Sequence, residues 1–368
     1  MIIVSSELVS YPLVSVVIAT YNQVRFIEKT LLSVLAQKCN FSFEVIIADD
    51  GSNDGERELL RELQRKYSSS VMLVFNDINL MVTYNYINAI KIARGKYIAT
   101  LDGDDYWIAE DKLQRQINIL ENNEDVSIVY TGYRQFDDET GKILHEIKYW
   151  NSVAVNKKGK ESALSFALDE VSYPLGSSAC FRRENYLQGC KKYEPLISTP
   201  YSAGEGTILN ISMCMSGYFR FIPEIMVAYR VLNSSLCHFE TPEQQLDFAF
   251  RYLRHRLLVA ELLHLDMIKV IRYSLWKLFK LAVYLGELDI YEQKLKQLEY
   301  DKPDAFSKWL LWFYNNKFML LGGRLFGESL YLFKFKLKIR KILGEKFYAF
   351  SKRLKDVYKS VINYNVKP

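Results

Sequence analysis

The chain has 368 residues, 49% hydrophobic and 25% charged, with only 17 Gly and 8 Pro. This excludes a disordered, collagen-like or disulfide-scaffold protein and leaves room for one large domain with an accessory region, or for two domains. The net charge of +5 hides an asymmetry: residues 301–368 hold 15 Lys and Arg against 5 Asp and Glu, so the first 300 residues are acidic.

The first predicted element is a strand, the continuous apolar run Val14–Ala19. Val24, Ile27, Leu31, Val34 and Leu35 then recur at helical spacing. Phe43–Ala48 reads as a second strand, and Asn53-Asp54 as the N-cap of a charged helix running to about Lys66. Val71–Phe75 is a third strand. Tyr86, Ile87, Ile90 and Ala93 mark a helix that Gly95 is expected to cap. Lys96–Leu101 is a fourth strand, Leu113, Ile117 and Leu120 share a helical stripe, and Val126–Thr131 is a fifth strand. The alternation predicts an α/β fold with a largely parallel, doubly wound sheet covered on both faces. Beyond Tyr133 the pattern loosens. A hairpin turn is expected at Asp137–Gly141, strands at Ser178–Arg182 and Met226–Val231, and a helix from about Gly204 to Ser216. From Thr241 the stripe Leu246, Phe250, Leu253 and Leu257 predicts helices to the end. The expected boundary is near residue 236, with domains at 1–235 and 236–368.

Five cysteines (Cys39, Cys180, Cys190, Cys214, Cys237) show no CxxC pair and read as reduced thiols. The four histidines form no zinc pattern; His255 and His264 fall in helical stretches as surface or packing residues. No basic segment precedes an apolar leader, and Pro12, Asn22 and Gln23 interrupt the uncharged run Leu8–Val24. A cytoplasmic location is therefore expected.

Ligands of open α/β sheets bind at the carboxyl ends of the strands. Three such ends carry polar clusters: Thr20-Tyr21-Asn22, Asp49-Asp50-Gly51-Ser52 and Asp102-Gly103-Asp104-Asp105. Carboxylates this close raise one another's pKa unless a cation neutralises them. Mg²⁺ or Mn²⁺ takes one or two carboxylates and completes its shell with phosphate oxygens and water. The rim therefore reads as a metal–diphosphate platform, with a solvated, helix-capping loop as the plainer alternative. No G-x-G-x-x-G or Walker A pattern is present, and the first βα turn has no glycine. That argues against a dinucleotide cofactor and a P-loop kinase, and makes a nucleotidyltransferase the weaker reading.

The segments Val14–Asn22 (VSVVIATYN), Glu44–Asp54 (EVIIADDGSND), Ala93–Trp107 (ARGKYIATLDGDDYW) and Ile222–Arg230 (IPEIMVAYR) stand in an order and spacing that resembles glycosyltransferase family 2. The resemblance covers about residues 12–235. It implies a GT-A fold, a Rossmann-like mixed sheet, here with a C-terminal α-helical extension. It also implies inverting transfer of a sugar from a nucleotide-diphospho-sugar, favouring a UDP-sugar, to a glycan or lipid-linked acceptor hydroxyl in cell-surface polysaccharide or lipopolysaccharide biosynthesis. By the same resemblance Thr20 and Tyr21 would line the nucleotide base, with Tyr21 stacking on it. Asp50 would accept a hydrogen bond from the base, and Asp102 would approach the ribose or metal. Asp104 and Asp105 would hold the ribose and the Mg²⁺ or Mn²⁺.

The general base would be Glu205, whose alternative is a helix N-terminal charge. Arg230 would contact phosphate or form a strand-end salt bridge. Three positions depart from the family's pattern. Glu205-Gly206 stands where Asp and often Trp are usual, Met81 where Gly is common, and Leu232 where His is frequent. The Glu205 and Leu232 departures keep a second hypothesis in view, a non-catalytic nucleotide-sugar-binding or scaffold subunit. In the tail, Lys308–Tyr314 and Leu332–Leu343 interleave basic and aromatic residues. That suits an anionic membrane surface, which would put the protein peripherally on the inner face of the cell membrane. A helical cap or a homodimer contact is the alternative. No RNA- or DNA-binding motif is present, so nucleic acid is not an expected partner.

Overall fold

A computed structural model describes residues 1–5, 7, 8, 10–149, 156–168, 170, 174–198, 205–232, 241–287, 289–291, 293 and 294. The basic tail 301–368, the expected boundary near 236, Cys237 and Gly204 lie outside the described residues.

The strands, in chain order, are β1 Ile2–Ile3, β2 Val14–Thr20, β3 Phe43–Asp49, β4 Val71–Phe75, β5 Tyr97–Asp102, β6 Tyr106–Trp107, β7 Val126–Asp137, β8 Ile143–Ile147, β9 Cys180–Arg182 and β10 Tyr218–Val231. They form one sheet in the order β1-β4-β3-β2-β5-β9-β7-β10-β6, with β8 beside β7. The half made of β4, β3, β2 and β5 is parallel, as the alternation predicts. The other half is mixed: β9 runs antiparallel between β5 and β7, and β6 antiparallel to β10. Strand β10 begins at Tyr218, well before the expected Met226, and pairs in parallel with β7 through several irregularities.

Helices α1 Ile27–Leu35, α2 Glu56–Lys66 and α4 Lys112–Asn122 cover one face, and α3 Met81–Ile92 with the helices Arg183–Lys192 and Glu205–Ser216 covers the other. Strand alternation sorts the core between them. Val14, Val16 and Ile18 meet Ile27, Leu31 and Leu60, whereas Val17 and Ala19 meet Tyr86 and Ile90. Each fully buried aliphatic side chain contributes about 1.5–3 kcal/mol.

Gly95 does not cap α3. The helix ends with Ala93 in an extended conformation, and a Cβ on Gly95 would stand 2.5 Å from the backbone nitrogen of Ser15. Glycine there permits close approach. Its N–H donates to Ser15 Oγ (2.9 Å), which donates to the buried Glu44 Oε1 (2.6 Å). Arg94 Nε donates to Glu44 Oε2 at 2.8 Å, and the Arg94 backbone N–H donates to Oε1 at 2.9 Å. This knot closes the sheet at the end opposite the carboxylate rim.

The described residues divide into two compact units, the first up to residue 232 with 251–275, the second 241–250 with 276–294. In the first, His255 is a buried packing residue whose imidazole burial pushes down to about 4. In the second, Tyr291 packs against Phe250 and Phe279, each with ring centroids 5.9 Å apart. Among the described residues no helix is long and apolar enough to cross a membrane.

Candidate active site

The parallel register assembles the rim. Asp102 and Ala48 both pair with Ala19, and Thr20 pairs with Asp49. Adjacent strands lie about 4.8 Å apart, so Asp50 and Asp102 flank the end of β2 at roughly 10 Å. The turn from Asp102 to Asp105 tucks under the first loop. Gly103 N–H donates to Ala19 O at 2.9 Å, and a Cβ on Gly103 would fall 2.3 Å from Gln23 Oε1 and 2.5 Å from Thr20 Oγ1. Glycine is required here by space, and this brings three carboxyls together on one short turn.

Their environments differ. Asp102 Oδ1 accepts from Tyr86 Oη (2.8 Å) and Oδ2 from Ser177 Oγ (2.9 Å). Asp105 is fully buried; its Oδ1 accepts the backbone N–H of Arg230 (2.9 Å) and its Oδ2 the same Ser177 hydroxyl (2.6 Å). One hydroxyl has one proton, so Ser177 fully satisfies both carboxyls only when one of them is itself protonated. Burial raises the pKa of Asp102, and burial together with the charges of Asp104 and Asp102 holds Asp105 well above the carboxylate range. Asp104 is less enclosed, and burial, then the charge of Asp102, pushes it up to about 6. Ser177, unmarked by any local motif, is the residue that links this cluster.

The other expected residues take distinct positions. The ring of Tyr21 is 44% exposed, open to a planar ligand. Asp50 is buried and accepts from Leu80 N–H and Asn76 Nδ2, both at 2.9 Å. Thr20, expected to line the base, is buried and turns its hydroxyl to Glu56. Glu56 was not expected at the site. It is fully buried, also accepts from Gln23 N–H (3.0 Å) and Ser52 Oγ (2.9 Å), and burial raises its pKa. It ties the first loop to α2.

Arg230 takes the salt-bridge arrangement. Its Nη1 is bonded to Asp138, its Nε donates to Asp104 O at 2.8 Å, and its guanidinium lies 4.3 Å from the Phe26 ring centroid and 4.9 Å from that of Phe136. Nε thus braces the Asp104 turn while Nη1 holds Asp138. Glu205 is the first residue of the helix Glu205–Ser216.

Among the described residues, no group of three or more His, Cys, Asp and Glu side chains converges as a ready-made metal cage. The oxygen-only donors and surplus negative charge nevertheless fit a hard divalent cation of the kind that shares its shell with a diphosphate. Asp104 is the carboxylate with room to reach one; both oxygens of Asp105 are engaged within the protein.

Residues 15–187 match the family model described as glycosyl transferase family 2. An uncharacterized glycosyltransferase of Methanocaldococcus jannaschii is 36% identical over 138 residues, 37% of this chain and 47% of that protein. WfaP of Escherichia coli, a UDP-Glc:alpha-D-GlcNAc-diphosphoundecaprenol beta-1,3-glucosyltransferase, is 36% identical over 121 residues, 33% of this chain and 46% of the relative. The chain spans about half the length of the curated relatives it matches. The crystal structure of S. aureus TarS 1-349 with UDP-GlcNAc aligns with a TM-score of 0.51 at 16% identity, covering 73% of this chain and 72% of that one. This likeness shows the GT-A fold.

Proposed function

Residues 15–187 make this chain a member of glycosyltransferase family 2, and from that premise we propose that it moves a sugar from a UDP-sugar to a hydroxyl of a glycan or lipid-linked acceptor, with inversion, in surface-polysaccharide assembly. One observation carries the reading: Asp102, Asp104 and Asp105 crowd on one turn at a strand end, with Asp104 held at about 6, on the rim that also bears Tyr21 and Asp50. WfaP, whose name specifies a UDP-Glc donor and a diphosphoundecaprenol-linked acceptor, supports the donor and acceptor classes.

The proposed roles are those that the family resemblance implies. Tyr21 offers its exposed ring to the base, and Asp50 accepts a base N–H. Asp102, fixed by Tyr86 and Ser177, is proposed to approach the ribose or metal. Asp104 is the proposed ligand of Mg²⁺ or Mn²⁺, which when bound offsets the charge that grows on the departing nucleoside diphosphate. Asp105 holds Ser177 and Arg230, and so holds the turn. Glu205, at the start of its helix, is the proposed base that takes the proton of the acceptor hydroxyl, a role worth about 10²–10⁴-fold.

The test is nucleotide release from a panel of UDP-sugars with Mn²⁺, with and without acceptor. Glu205→Gln should abolish transfer while UDP still binds. Nucleotide binding with no turnover of any donor would favour the non-catalytic subunit instead. The basic residues 301–368 are proposed to meet an anionic membrane, so deletion after about residue 300 should reduce sedimentation with anionic vesicles. Unchanged sedimentation would leave the tail as a cap or dimer contact.

A further inference from the structure

Asp50 stands at the end of β3 with one of its two carboxylate oxygens already engaged. Oδ1 accepts both the Leu80 N–H and the Asn76 side-chain amide, at 2.9 Å each. Among the described residues no hydrogen bond reaches Oδ2.

Asn76 has no freedom to release that oxygen. Its backbone N–H donates to Asp49 O (2.9 Å), and its carbonyl accepts from the Arg57 guanidinium, which is itself anchored on Asp49 Oδ1 (2.5 Å). Its side-chain Nδ2 also donates to Asn85 Oδ1 at 3.0 Å, and the buried Asn85 donates in turn to Ala48 O at 2.8 Å. An amide nitrogen has two protons, so Asn76 serves Asp50 and Asn85 together without sharing. Turning the amide over would set its oxygen against two acceptors, which fixes the orientation.

We propose that Asn76, held by Asn85, is a positioning residue that sets nucleotide-base selectivity by leaving Asp50 a single acceptor oxygen, Oδ2, for the base. The proposal rests on the donor-site reading above. A carboxylate oxygen repels the ring-nitrogen lone pair that cytosine or adenine would present. Uracil presents one ring N–H between two carbonyls, which a single oxygen satisfies. Guanine presents a ring N–H and an exocyclic N–H side by side, a pair that a carboxylate grips with both oxygens. With Oδ1 engaged, one guanine donor is left without its partner, and an unpaired buried polar group is what makes hydrogen-bonded sites discriminate.

The experiment is calorimetric titration of the full chain, in buffer containing Mg²⁺, with UDP, GDP and CDP. The wild type should bind UDP most tightly. Asn76→Ala should narrow the UDP-over-GDP preference by about tenfold or more, with CDP remaining weak. If Asn76→Ala fails to fold, Asn76→Ser, whose hydroxyl does not reach Asp50, is read in the same way. Equal weakening of UDP and GDP would mean a merely structural role and would overturn the proposal. So would a wild type that binds GDP as well as UDP, although that result leaves a nucleotide-sugar enzyme standing. A wild type that binds no nucleoside diphosphate removes the donor-site reading and this inference with it.

Discussion

Replacing Asp104 with asparagine should make the protein more stable and less able to hold its donor. Burial and the neighbouring charge of Asp102 raise the Asp104 carboxyl from 3.8 to about 6, against the opposing pull of Arg230 and Gln23. A shift of about two units corresponds to at most about 3 kcal/mol of disfavoured charge. Asp104 keeps some contact with solvent, so screening reduces this to roughly 1–2 kcal/mol. Because folding raises this pKa, the cost falls on the ionised form. It is absent below about pH 3.8, grows as pH rises through 6, and is complete above that. Asparagine keeps the shape and removes the charge. Without metal, thermal melts at pH 8 should show Asp104→Asn several degrees above the wild type, at roughly 2–4 °C per kcal/mol, and the gain should shrink towards pH 4.5. Adding Mn²⁺ with UDP should raise the melting temperature of the wild type and leave the variant unmoved. A variant no more stable at pH 8, or a gain equal at both pH values, would refute the idea that this turn stores repulsion for a cation to relieve.

Met81 has φ of +68°, a left-handed conformation in a non-glycine residue, and its side chain is 61% exposed. Met81→Gly should therefore stabilise by about 1 kcal/mol, whereas Met81→Ala should not; chemical denaturation of both variants distinguishes relief of strain from loss of an exposed side chain. Glu44→Gln weakens the bridge from the buried Glu44 to Arg94, whose side chain is 37% exposed, and should cost roughly 1–2 kcal/mol, seen as a lower denaturation midpoint with donor affinity unchanged. Lys112 is fully buried, and burial brings its ammonium down to about 7. Between about pH 7 and 10.5 the unfolded chain binds more protons, so the cost of burying the charge is largest below pH 7 and fades as pH rises. Lys112→Met should therefore gain stability over the wild type at pH 6, less the roughly 1–3 kcal/mol of leaving Gln116 Oε1 without its donor. That difference should fall by pH 9.5 in parallel melts.

The parallel half of the sheet was legible because its strands are buried on both faces and read as unbroken apolar runs. Strand β9 was expected at Ser178–Arg182, but its neighbours in the sheet were not, because three residues carry no pairing preference of their own. Only the folded chain puts Cys180 against both Ala99 and Val129. At the rim, chain order identified which strand ends gather, but the direction of each side chain needed parity. In β2, Val14, Val16 and Ile18 face the layer that contains α2, and Thr20 continues that series, which is why its hydroxyl meets Glu56. In β5, Ile98 faces the layer of α3, and Asp102 falls on the same side, under Tyr86. Period-two counting along the two strands was thus sufficient to set Thr20 towards α2 and Asp102 towards α3. No such count reaches Arg230. The irregularities between Ile222 and Val227 break the alternation of β10, and its partner Asp138 lies 92 residues away. Local sequence proposed a phosphate contact or a salt bridge for that arginine, and the tertiary pairing of β10 with β6 and β7 is what brings it to Asp138.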